Sequence, residues 1–177
     1  MSCESSSDIK RLLSLMRAVG QNVTYISLDL ANLGGVRLPL DLNWAVLGES
    51  LACCPWLESL HVKISTFGKA NYSGMPCHAL FTTILPYASR LLHTLTVELV
   101  DDVHWRYPTG GFGTWDLNVL AAYLTRKPVE FPALRSVAIE LRMVFPDDNE
   151  NLEKVLLQEL SPLKDAGLLC IFCDDMS

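Results

Sequence analysis

Chemistry in this chain would have to come from a few short groups of side chains. Asp101, Asp102 and His104 set two carboxylates and an imidazole within four positions, a group suited to acid–base work or to holding a cation. No nucleophile and no second carboxylate pair stands at a telling spacing from them, so a solvated strand end is the expected reading. Cys170-Ile-Phe-Cys173 has the CxxC spacing of a zinc half-site, but on a strand residues three apart point to opposite faces. Cys77-His78 would join Cys53-Cys54 only if the fold brought them together, and buried thiols account for them more simply. Gly110-Gly111-Phe112-Gly113 has neither the Lys-Ser/Thr of a phosphate loop nor the spacing of a dinucleotide turn. The expectation is therefore no catalytic residue, no metal and no cofactor. The alternative is a small α/β enzyme fragment with a site near Asp101, Asp102 and His104, at the carboxyl ends of the strands.

Binding is better served than catalysis. Trp105, Tyr107 and Phe112 crowd large amphipathic rings into the long irregular stretch 101–114, with Trp115 just after it. Rings of that kind are what interface hot spots are made of. Asp29, His61, Lys63, Glu98 and Glu140 complete the candidate partner-binding set, because each falls on the same face of a predicted strand.

Those strands are the chain's organising pattern. VTYISLDL from Val23, LESLHVKI from Leu57, LHTLTVEL from Leu92, LRSVAIEL from Leu134 and, more loosely, AGLLCIFC from Ala166 begin 34, 35, 42 and 32 residues apart. Periods in this range mark stacked arrays. Helices are predicted over 7–18, from Asp41 or Asn43 to about Cys53, over 76–89 with Pro86 kinking it or ending it early, from Trp115 or Asp116 to about Thr125, and over 147–162. Each precedes a strand, so the strands should be parallel. In register, the inward rows are Ile26, Leu60, Leu95, Val137 and Leu169, then Leu28, Val62, Val97, Ile139 and Ile171. The opposite rows are Ser27, His61, Thr96, Ala138 and Cys170, then Asp29, Lys63, Glu98, Glu140 and Phe172. A sheet covered on both sides would show continuous apolar runs. The polar second face instead predicts an α/β fold of the leucine-rich-repeat kind, a short solenoid of five helix–strand units whose parallel sheet has one exposed face. A single domain over 1–177 is expected, with a disordered head at 1–6 and an inserted loop at 101–114.

Composition narrows the class further. The chain has 177 residues, half of them apolar, and a net charge of −6, which offers no basic field to nucleic acid. MSCESSSDIK contains no apolar core of signal-peptide length, and nowhere do about 18 apolar residues run together. An intracellular protein, cytoplasmic or nuclear, is expected, with its six cysteines reduced and no membrane partner.

LESLHV, LHTLTV and LRSVAI, the phrase NWAVLGESLACCPWLES over 43–59 and the closing helix and strand from Leu152 to Ile171 resemble the degenerate leucine-rich repeats of fungal F-box-like proteins, over about Val23 to Cys173. The resemblance implies a repeat domain that recognises a protein partner, as the substrate-recognition part of an F-box-type ubiquitin ligase receptor does. Residues 1–22 carry no F-box-like pattern, so docking to a Skp adaptor is implied only with an F-box upstream.

Overall fold

The structure, a computed structural model, describes residues 6–30, 44–65, 83–101, 117–126, 130–143 and 149–175. One backbone device recurs before the first four strands. Val23, Leu57, Leu92 and Leu134 each donate an amide to the carbonyl three residues back, that of Gly20, Cys54, Ser89 and Phe131, at 3.1, 3.2, 3.1 and 3.2 Å. Such a turn reverses the chain at the end of a helix and releases it as a strand. Successive turns are tied to one another as well. The carbonyl of Thr24 accepts the amides of Glu58 and Ser59, that of Glu58 accepts His93 and Thr94, and that of His93 accepts Arg135 and Ser136, all within 2.7 to 3.2 Å. The strands therefore start at one level.

They run as β1 Tyr25–Asp29, β2 Ser59–Ser65, β3 Thr94–Asp101, β4 Ser136–Met143 and β5 Leu169–Asp175. All four pairings are parallel, and the order across the sheet is the order along the chain. The register is the one expected: Ile26, Leu60, Leu95, Val137 and Leu169 align in one row, and Asp29, Lys63, Glu98, Glu140 and Phe172 in another.

The helices are α1 Ser6–Val19, α2 Trp44–Ala52, α3 Leu117–Arg126, α4 Asn149–Glu159 and α5 Ser161–Asp165. Leu12 and Met16 of α1, Leu47 and Leu51 of α2, Leu117, Leu120, Ala121 and Leu124 of α3, and Leu156 and Leu163 of the last two join one core with the inward strand rows. No residue of the opposite rows belongs to that core. Apolar side chains recurring every three to four helical residues meet apolar side chains recurring every two strand residues, and that match places the helices on one side of the sheet. Gly20, in the turn after α1, packs against Cys53 in the turn after α2. A Cβ there would stand 2.4 Å from the carbonyl oxygen of Cys53, so only glycine lets the two turns touch.

Four expectations need correction. Before β3 the described residues form a π-type stretch at Thr83–Ile84 and a 3-10 turn, Leu85–Tyr87, and Ala88 is already extended; residues 76–82 of the predicted helix lie outside the described residues. Pro86 lacks the amide that a continuing helix would need. The final helix predicted as one piece is two, broken at Leu160, because Pro162 can occupy the first turn of a helix but not the interior of one. Gly167, with φ +69°, then turns the chain into β5. The third correction concerns the second face of the sheet. Glu98, expected on a solvent-facing row, is only 3% exposed, and Ala138 is buried too. Ser6, placed in the disordered head, opens α1.

Candidate functional site

The polar face of the sheet gathers its charges around Glu98. This residue lies on β3, the central strand, and alternation turns it away from the apolar core between Val97 and Leu99. Three neighbours close over its carboxylate. His61 on β2 brings Nε2 to 3.0 Å from Oε2, Arg142 on β4 brings Nε to 3.1 Å from Oε1, and Lys63 on β2 brings Nζ to 3.6 Å from the same oxygen. Lys63 also reaches Asp29 on β1, at 3.9 Å. The opposite-facing rows thus hold one charged network over four strands, which is why a residue on a nominally open face is buried: long side chains on adjacent strands fold across it.

Glu98 and Glu140 stand directly opposite each other in the register, an arrangement of like charges that is unfavourable alone. Lys63 and Arg142 offset it. On the other side of the imidazole, Ser27 Oγ lies 3.4 Å from His61 Nδ1. Two atoms in this group, His61 Nε2 and Glu98 Oε1, are buried and make no hydrogen bond, although the first lies 3.0 Å from a Glu98 carboxylate oxygen and the second 3.1 Å from the Arg142 guanidinium. The contacts are close but out of line, so they count as electrostatic contacts and not as hydrogen bonds. The other buried polar side chains described are satisfied by the backbone: Ser50 Oγ donates to the Val46 carbonyl, and Ser89 Oγ donates to that of Pro55.

Ser27, His61 and Glu98 follow one another in the manner of a hydrolase triad, which prompts a test of that chemistry. A triad needs a directed hydrogen bond from the base to its carboxylate and amide donors for an oxyanion. The first is missing at Nε2. A nucleophilic mechanism gains no support from this geometry.

The sequence-derived candidates divide clearly. Asp29, His61, Lys63, Glu98 and Glu140 come together on one face. Trp105, Tyr107, Phe112, Asp102 and His104 lie outside the described residues. Sequence reasoning missed Arg142 and Ser27, although the same alternation that placed Glu140 puts both on that face. It also passed over two aromatic residues at the margins of the face, Tyr25 on β1 and Phe172 on β5, 57% and 55% exposed. A groove of about 460 Å³ on the helical side, lined by Asn118, Val155, Gln158, Glu159, Ser161 and Pro162, lies between α3 and the last two helices and brings no comparable cluster of charges together.

Comparison of the chain with family models, with curated proteins and with solved structures finds no match. Among the described residues no helix is long and apolar enough to cross a membrane.

Proposed function

We propose that this chain is a non-enzymatic protein–protein interaction domain of the leucine-rich-repeat kind, a short solenoid of five helix–strand units acting inside the cell. Its polar sheet face would hold a protein partner, as in the substrate-recognition part of an F-box-type ubiquitin ligase receptor, with a Skp adaptor involved only if an F-box precedes it. The observation that carries the reading is the division of the sheet. The described helices share a core with one face, and the other face presents an organised charged network between two exposed aromatic side chains, Tyr25 and Phe172. Aromatic anchors beside a fixed pattern of charge supply affinity and partner selection respectively.

Affinity purification with the full chain as bait, read by mass spectrometry, tests the proposal when run beside two variants. The double change Tyr25→Ser and Phe172→Ser alters the polar face, and Leu15→Ser alters an exposed position on α1. A partner retained by Leu15→Ser and lost with the double variant supports the reading. A partner lost only with Leu15→Ser would move the binding surface to the helical side. Skp and cullin in the captured set would bear on the ligase role.

A further inference from the structure

We propose that His61, Glu98 and Glu140 form a binding site for one divalent transition-metal ion of the zinc class. One donor atom from each of the three side chains lies within 4.8 Å of the other two. Three adjacent strands supply one residue apiece, and Glu98 pairs with Glu140 in the register, so the backbone ladder itself sets their spacing. An imidazole and two carboxylates are a donor set that suits zinc and its neighbours.

The contact between His61 and Glu98 is what calls for a cation. Nε2 stands 3.0 Å from Oε2 yet makes no hydrogen bond, so the ring nitrogen does not point along the line to that oxygen. A shared proton requires near-linear alignment. Two donors bound to one zinc behave differently: each lies about 2.0–2.2 Å from the ion, roughly 3 Å from the other, and both aim at a third point. The pair has that separation without the alignment. Glu98 is more than nine-tenths buried, and its Oε1, although beside Arg142 and Lys63, makes no aligned hydrogen bond.

The surroundings fit a ligand set. Ser27 Oγ lies 3.4 Å from His61 Nδ1, and in the tautomer in which Nδ1–H donates to it the Nε2 lone pair is left for a cation, the orienting role that outer partners of metal-binding histidines commonly play. His61 approaches Oε2, while Lys63 and Arg142 approach Oε1. Their charges hold the affinity below that of the same three donors alone. Three protein donors also leave a coordination position for water or for a side chain from another molecule. The site stands whether or not the face recognises a protein.

The test uses the full chain, freed of metal with a chelator and then titrated with Zn²⁺ against a chromophoric competitor, and separately with Co²⁺ followed by absorption. The expected result is one ion per chain and a cobalt spectrum with visible bands but no near-ultraviolet thiolate band, which excludes Cys53, Cys54 and Cys170 as the ligands. Glu140→Gln and His61→Ala should each weaken zinc binding by about tenfold or more, Ser27→Ala by about tenfold through loss of ring orientation, and Glu49→Gln on α2 not at all. Glu140→Gln is isosteric and half-buried, so it carries the test if His61→Ala fails to fold by circular dichroism. The proposal is overturned if the unmodified chain binds no zinc, if the cobalt spectrum shows thiolate ligation, or if natively folded Glu140→Gln binds as tightly as the parent.

Discussion

Removing a core side chain and removing a charge on the polar face should have very different costs, and this is where the register can be checked residue by residue. Leu60 and Leu95 are fully buried in the inward rows. Leu60→Ala or Leu95→Ala should lower stability by about 2–5 kcal/mol in urea unfolding, whereas Glu58→Ala, exposed just before β2, should change it by less than ~0.5 kcal/mol. Alkaline pH offers a second check. Burial, and then the neighbouring Cys53, push the Cys54 thiol up from its ordinary value of 9.0, and burial, followed by the hydrogen bond it donates to Glu130, pushes the Tyr123 phenol up as well. Both groups stay protonated in the fold and ionise more readily in the unfolded chain. Their contribution is complete below the unfolded values and is lost as pH rises through the folded ones. Stability should therefore fall as pH climbs past about 9, and less steeply in Tyr123→Phe, measured by chemical denaturation at each pH. The identity of the charged face was legible in the sequence because strand alternation sorts side chains by parity: Asp29, His61, Lys63, Glu98 and Glu140 were assigned to it by counting alone. The burial of Glu98 was not legible. Parity gives the side of the sheet a residue occupies and says nothing of how far Arg142 or Lys63 on the next strand will reach across it.

At the scale of the element, the strands were more readable than the segments that join them. Five copies of an alternating phrase fixed the strand order and the register, since a slip of one residue would turn every apolar side chain outward. The helices gave their apolar faces but not their breaks. Whether Pro162 ends a helix or begins one depends on whether the residues after it can form a further turn, and Ser161–Asp165 do. The Gly20 contact could not be foreseen either, because it depends on the approach of Cys53 from another helix. It makes a sharp prediction. Gly20→Ala puts a methyl group against a backbone carbonyl that cannot step aside cheaply, and it should cost about 1–3 kcal/mol of stability by thermal or urea unfolding. If the cost is negligible, α1 and α2 do not meet as described.

For the whole molecule, the sequential order of the strands means that no strand is clasped between two that are distant in the chain. Each ladder joins a unit only to the one before it and the one after it, as the paired carbonyls at the strand starts also do. Mechanical load applied at the two ends would accordingly meet no common lock. A terminal strand can be stripped from its neighbour while the remaining ladders stay intact, and the chain should yield to an optical trap in a staircase of modest steps. Each step would release one repeat, on the order of 120 Å of extended chain for a segment of this length. The step across the long spacing between Leu92 and Leu134 should be the largest, and a single all-or-none rupture would show that the units are bound together more tightly than their ladders alone require.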